Sequence, residues 1–335
     1  MSYHDDTLIR PPSGGARIPE LDGWRAISIM LVMAGHMLPL GPKSLQLNAA
    51  AAHLGMAIFF CLSGFLITQQ LWSHRSIGGF LIRRLFRIVP LAYLGITIAL
   101  IVPWRPVEDG VISMLFLQNY LHGHILPPLA HYWSLCVEVH FYLSAAVLML
   151  VTRFRGFAIL PLLWIGFTMY RALIYPEGKI LTHLRIDELL AGSMLGMLHL
   201  GLGPDVLRTL LARMPIWLLA ALTFCTVSPA IAPANFMRGT LVTMMVGRTL
   251  FGPQPISYQV LRSPRLRYIA EISFALYVFH PLTQIGWFSE ASDTLTKASK
   301  RLLSIALTVV AAHLSTFWFE RYFTGFGRSL SRRFE

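Results

Sequence analysis

Charge is scarce in this chain, and acidic charge scarcest. Only 13% of its 335 residues are charged, against about 25% in an ordinary soluble domain. That shortage excludes a soluble fold with a fully wetted surface. Cysteine is also rare. Cys61, Cys136 and Cys225 fall in separate apolar runs, so they read as small buried hydrophobes and neither a disulfide framework nor a metal set. Strict polar–apolar alternation is missing and the apolar runs contain Gly and Pro, which excludes a membrane β-barrel. No cleavage pattern follows the first apolar run, so no signal peptide is expected. His122, His124 and His131 lack a Cys or carboxylate at ligand spacing, so no metal is expected either.

What is present is apolar length. Hydrophobic residues make up 55% of the chain, gathered in stretches of about 17–25 residues, the length that crosses a bilayer as a helix. The fold class expected is an all-α membrane protein, a polytopic bundle of about ten transmembrane helices. The spans are placed at 23–40, 50–72, 88–104, 132–152, 157–175, 184–202, 213–229, 235–251, 268–288 and 302–322. Residues 1–20 are read as a flexible cytoplasmic leader, 21–325 as the transmembrane domain and 326–335 as a basic cytoplasmic tail. The stretch 112–121 is apolar but too short to span, which suits a re-entrant or interfacial helix.

The net charge of +12 does not indicate a nucleic-acid partner, because the basic residues sit in short loops between apolar runs. With both termini inside, seventeen of them fall on the inner side, including Arg75, Arg83, Arg153, Arg208 and Arg262. Six fall outside: Lys43, Arg105, Lys179, Lys297, Lys300 and Arg301. The positive-inside rule then gives an N-in, C-in orientation.

Three groups of polar residues stand where a membrane should hold none. Arg25 and His36 lie on one expected helix. Eleven residues turn about 1100° and rise about 16 Å, so both side chains share one face at different depths. They either line a path across the membrane or, respectively, snorkel to the interface and pack as a hydrogen-bonded histidine. Glu138 lies about two turns into the fourth span, at the depth of His36, and shares a face with His131 and Tyr142, near Ser134. His36 and Glu138 suit a general base and its orienter, or a structural hydrogen bond between helices. Arg83, Arg84 and Arg87 cluster on an apolar interfacial helix. Their forked donors suit phosphates, whether those of a substrate or of anionic lipid headgroups.

Weaker signals remain. Arg185 and Asp187, with Glu188 a residue further in, read as an ion pair fixing the start of a helix. Ser63-Gly64 permits close helix approach, or exposes backbone to a ligand.

Six motifs in order resemble a family, the integral membrane acyltransferases often called acyltransferase-3. They are Ile18 to Ile29 with His36, the run Phe59-Phe-Cys-Leu-Ser-Gly-Phe-Leu-Ile-Thr68, and Arg83-Arg-Leu-Phe-Arg-Ile-Val-Pro90. Trp133 to Tyr142, Arg185 to Gly192 and Ile272 to Pro281 complete the set. The chain departs from the family at Glu320-Arg321-Tyr322, where a Pro usually follows the basic residue, and at Gly55 to Ile58, where an acid often stands. Some relatives carry an extracytoplasmic hydrolase-like domain after the last span, for which this chain leaves no room.

The resemblance implies a multi-pass O-acyltransferase of the bacterial inner membrane. Acyl-CoA, by preference acetyl-CoA, would be the donor substrate, with no bound cofactor. Its phosphates would meet Arg83, Arg84 and Arg87, and its pantetheine arm would pass Arg25 to reach His36. His36 would act as general base, with Glu138 orienting it or stabilising its charged form, and Arg25 as a further catalytic residue or as a holder of a CoA phosphate. Trp133, Tyr142 and Ser63 would serve the acceptor or the structure, and Ser63 or Cys136 would be the nucleophile if an acyl-enzyme formed. The acceptor would be a hydroxyl of a cell-surface or lipid-linked glycan, such as an exopolysaccharide or lipopolysaccharide, with membrane lipids and a polysaccharide assembly system as further partners. The rival class is a transporter or flippase for a polar lipid, which would use intramembrane Arg, His and Glu equally well but has no need of the arginine cluster.

Overall fold

The computed structural model describes residues 17–101, 106–174, 180–227, 234–253, 256–286 and 293–334. Most of the expected leader, Arg105 and Lys179 lie outside the described residues. Within them the chain is helical throughout, with no strand.

Helix α1 (Pro19–Met37) starts on a proline whose missing N–H costs nothing in a first turn. Glu20 and Asp22 complement its N-terminal dipole. Helix α2 (Leu47–His74) is the centre of the bundle and packs along both α1 and α7 (Ile186–His199). Apolar packing gives little driving force where lipid is equally apolar, so close backbone approach matters more. At the α2–α7 crossing Gly64 faces the Leu189 carbonyl and Gly192 faces the Cys61 carbonyl, and a Cβ at either would collide with backbone. The Ser193 hydroxyl donates to the Gly64 carbonyl at 3.3 Å. Close approach, not an exposed backbone, is therefore what the Ser63-Gly64 pair provides.

Among the described residues four helical stretches are long and apolar enough to cross a membrane: Lys43–His74, α3 (Ile77–Ile101), Pro127–Val151, which contains α5 (Trp133–Val151), and Thr294–Ser331. A fifth span results if α8 (Asp205–Arg213) and α9 (Ile216–Val227), bent by 90°, count as one. Pro215 lies at that bend and disfavours helix in the residue before it. Helices α6 (Leu160–Ile174), α7 and α10 (Arg238–Phe251) have 15, 14 and 14 residues. They rise only about 21–23 Å, short of a hydrocarbon core of about 30 Å. Length and composition therefore support four or five spans, fewer than the ten read from hydropathy.

Three expected elements take a different form. Arg83, Arg84 and Arg87 do not lie on a separate interfacial helix, because α3 runs unbroken through Pro90. The expected span 268–288 is broken into α11 (Pro264–Glu271) and α12 (Ser273–Phe279), followed by a short turn at Leu282–Gln284. The apolar stretch 112–121 is likewise cut, since α4 (Val107–Met114) stops within it. At the C-terminal end, residues 326–331 of the expected tail belong to a helix. From α13 (Thr294–Leu314) the chain passes through a wide π turn, Ser315–Glu320, into α14 (Arg321–Ser331). Helix α14 packs along α3, with Arg83 Nη1 donating to Ser331 Oγ at 3.3 Å and Ser76 Oγ to the Phe334 carbonyl at 2.7 Å.

Candidate active site

A row of cavities follows α1. The first, about 250 Å³ at the N-terminal end of the helix, is lined by Arg17, Asp22, Arg25, Gln69 and Gln70 among others. The second, a tight space of about 60 Å³, is lined by Arg25, Arg84, Arg87, Ser63, Ser134 and Glu138. The third, about 510 Å³, is lined by His36, Asn48, His53, His131, Trp133 and Arg185. Arg25, Leu62 and Leu66 border both the first and the second. Val32, Met56 and Tyr277 border both the second and the third. The shared face of Arg25 and His36 thus runs along a lined path, with Arg25 at the first partition and His36 beyond the second.

The middle cavity carries three guanidiniums against one carboxylate. Arg84 lies under the rings of Phe80 and Tyr142, at 5.8 and 5.3 Å. Its Nε and Nη2 are buried with no hydrogen-bond partner among the described residues. Arg83, one residue away and so about 100° around the helix, instead reaches Ser331 of α14. The cluster expected from the sequence is therefore divided, with Arg84 and Arg87 on the cavity and Arg83 on the C-terminal helix.

Glu138 is buried and accepts hydrogen bonds from the hydroxyls of Ser63 and Tyr142. The expected pairing of Glu138 with His36 is replaced by another. His36 Nδ1 lies 2.9 Å from Nε2 of His280, with the two rings stacked at 5.1 Å and 2°. His280 is fully buried. Its Nδ1 is 2.8 Å from the Tyr277 carbonyl oxygen and 3.2 Å from that of Leu276.

These contacts fix the hydrogens of a neutral pair. A carbonyl oxygen only accepts, so His280 Nδ1 carries its hydrogen and Nε2 keeps a lone pair. His36 Nδ1 must then donate to that lone pair. The remaining lone pair is Nε2 of His36, on the exposed ring that lines the third cavity. The backbone supplies the reason. Pro281 has no N–H, so the bond that residue 281 of a helix would give to the carbonyl of Tyr277 is absent. The freed Tyr277 carbonyl accepts from His280 Nδ1 and from His131 Nε2, the latter at 2.9 Å. The same Pro281 ends α12, which leaves His280 at its last turn.

His280 and Tyr277 were not singled out from the sequence. The signal was the His-Pro dipeptide inside an apolar run, where proline orphans a carbonyl and histidine can take it. Arg171 and Arg238 were also missed, although each stands inside an apolar stretch. Arg171 Nη1 donates to both oxygens of Asp187, at 3.0 and 2.9 Å, and to Glu188 at 3.2 Å. Arg238 Nη2 donates to Glu188 at 2.7 Å, and Arg185 Nη2 reaches the same carboxylate at 3.3 Å. The local ion pair expected at the start of α7 is thus a five-residue network drawing on three helices. Trp133 lies against Arg185, whose guanidinium carbon sits 5.1 Å from the ring centre. Cys136 is buried, and the described residues hold no cluster of three metal-ligating side chains.

A family profile described as an acyltransferase domain matches residues 18–321. A peptidoglycan O-acetyltransferase of Listeria monocytogenes is 26% identical, over 92% of this chain and 57% of its own length. A Bacillus subtilis protein with a provisional peptidoglycan O-acetyltransferase name is also 26% identical, over 94% of this chain and 56% of its own. A Staphylococcus aureus protein provisionally named an O-acetyltransferase is 24% identical over 89% of this chain and 56% of its own. The chain therefore spans a little over half the length of these relatives. No solved structure gives a significant match.

Proposed function

Because the chain belongs to the acyltransferase domain family, we propose that it is a multi-pass membrane O-acetyltransferase that moves an acetyl group from acetyl-CoA to a glycan hydroxyl. The observation that carries this reading is the lined path along α1, with unsatisfied guanidinium donors near one end and the bare Nε2 of His36 at the other.

The donor phosphates dock on Arg84, whose Nε and Nη2 are unmatched among the described residues, and on Arg87 beside it in the middle cavity, and Arg83 contributes from the side of α14. The pantetheine arm passes Arg25. The rise of about 16 Å from Arg25 to His36 suits an arm of that length. In the third cavity Nε2 of His36 takes the proton of an acceptor hydroxyl as its oxygen attacks the thioester carbonyl. The carbon–sulfur bond breaks, and the departing thiolate recovers the proton from His36. Positioned general-base catalysis of this kind is worth about 10²–10⁴-fold. His280, not Glu138, holds His36 and shares the charge it gains. The ten-span, N-in and C-in topology read from the basic loops belongs to the same proposal, and it places Arg25 toward the bacterial cytoplasm and His36 toward the outer face of the inner membrane. A cell-wall or surface glycan is the acceptor class that the relatives' names support. A transporter has no need of the arginines that line the middle cavity, and the family match weighs against it.

One contact favours a second route. Ser63 donates to the Glu138 carboxylate, so this hydroxyl has a base beside it that the sequence did not reveal, and an acetyl-Ser63 intermediate becomes a defined alternative. Isotopically labelled acetyl-CoA given to the purified protein in lipid, with peptidoglycan fragments and surface glycans as acceptors, tests both. Label on a glycan, lost in His36→Ala, is the expected result. Label trapped on Ser63 without acceptor would replace direct transfer by the two-step route. No turnover of acetyl-CoA would overturn the proposal.

A further inference from the structure

The buried ion network beside the third cavity does not balance. Arg171, Arg185 and Arg238 face only Asp187 and Glu188, and all five side chains are at most 3% exposed. One positive charge is left over, and the contacts indicate where. Asp187 is held by Arg171, and Glu188 lies closest to Arg238. Arg185 makes the longest of these contacts, 3.3 Å, with one nitrogen. Its Nε–H is buried and has no partner among the described residues. An unpaired buried donor on a charged group is costly, and an incoming acceptor of hydrogen bonds relieves that cost.

Arg185 also lines the cavity that holds His36. No carboxylate is among that cavity's described lining residues, which include His53 and His131 beside Arg185. The guanidinium lies over the Trp133 ring, its carbon 5.1 Å from the ring centre, a cation–π contact that favours one placement of the charge. A planar fork with an open N–H, in a cavity without negative charge, matches a carboxylate or phosphate.

We propose that Arg185 is the anion-binding residue of the acceptor pocket, and that the glycan acetylated at His36 carries an acidic group, a carboxylate or a phosphate, on or beside the accepting sugar. This rests on the acetyl-transfer reading for the role of the bound glycan, while the anion site itself stands on the network and the cavity. Arg171 and Arg238 act through Glu188 as positioning residues, since both donate to the carboxylate that holds Arg185.

The test uses the full chain in lipid nanodiscs and three fluorescently labelled oligosaccharides of one backbone. One bears glucuronate, one its neutral methyl ester and one a sugar phosphate. Anisotropy gives affinity, and transfer from labelled acetyl-CoA is measured on the same three. The expected result is that the glucuronate or the phosphate compound binds about tenfold or more tightly than the ester, the size of one charge-assisted contact. The tighter of the two names the group. Arg185→Gln should reduce that ligand to the affinity of the ester, and Arg185→Lys should restore part of the difference. Desulfo-CoA should not displace it. Equal binding of acid and ester, or no binding of either, would overturn the site, as would displacement by desulfo-CoA, which would assign the charge to the donor. Should Arg185→Gln not fold, the acid–ester comparison on the unaltered protein still decides. Acid-selective binding without transfer would leave the anion site standing and remove the acetyl-transfer reading. Transfer without acid preference would do the reverse.

Discussion

Replacing His280 separates a positioned base from a merely nearby histidine. His280→Phe keeps an aromatic ring of similar size in a fully buried slot but deletes both hydrogen-bonding nitrogens. It removes the acceptor that faces His36 Nδ1 at 2.9 Å and the donor that faces the Tyr277 carbonyl at 2.8 Å. A neutral hydrogen bond of this kind contributes about 0.5–1.5 kcal/mol, and one to a charged group about 1.5–3 kcal/mol. In the proposed transfer His36 takes the acceptor's proton, and its bond to His280 changes from the first kind to the second. Because the bond exists before and during the step, kcat feels only the difference, about 1–1.5 kcal/mol, which corresponds to a fall of about 5- to 13-fold. His36→Ala, which removes the base, should cost about 10²–10⁴-fold. The KM for acetyl-CoA should change little, because the proposed phosphate site is at the other end of the path. His280→Gln supplies an oxygen near the position of Nε2 and should recover a measurable part of the loss. The assay is steady-state transfer of labelled acetyl by purified variants matched for folded fraction. Full activity in a folded His280→Phe, or no difference between Phe and Gln, would refute the relay.

Other consequences follow from the same contacts. Gly64→Ala and Gly192→Ala each force a methyl into backbone across the α2–α7 crossing, and each should lower stability by about 1–3 kcal/mol or more. Gly166→Ala, with nothing near its Cβ position, should be neutral or slightly stabilising, so thermal unfolding in detergent reads packing against propensity. Glu188→Gln leaves three buried guanidiniums facing one carboxylate and should destabilise by about 3–5 kcal/mol; folded yield and melting temperature check it, and an unchanged protein would show the network to be dispensable. Arg84→Gln and Arg87→Gln should raise the KM for acetyl-CoA more than Arg83→Gln does, because Arg83 is turned toward Ser331. Equal effects of all three would argue that the cluster acts as one surface patch.

The composition of the chain determined the membrane class, and the order of its motifs determined the family, since both are properties of local sequence. The geometry shared by Arg25 and His36 was also legible, because a helix fixes the angle between two residues on it. Of the ten spans read from hydropathy, length and composition qualify four or five among the described residues. Hydropathy counts apolar residues but not whether a helix survives Pro215 or the His280-Pro281 break. The partners of the catalytic candidates were decided only by tertiary structure. His36 and Glu138 lie at similar depth by sequence, but depth does not give azimuth. The contact of Glu138 with Tyr142 is local to one helix, but packing set Ser63 against Glu138 and brought His280, 244 positions away, against His36. The excess charge at Arg185 was hidden for the same reason. Each arginine and carboxylate is visible in the sequence, but only the convergence of α6, α7 and α10 shows that three cations share two anions and that one donor of Arg185, a residue on the cavity wall, is left without a partner among the described residues.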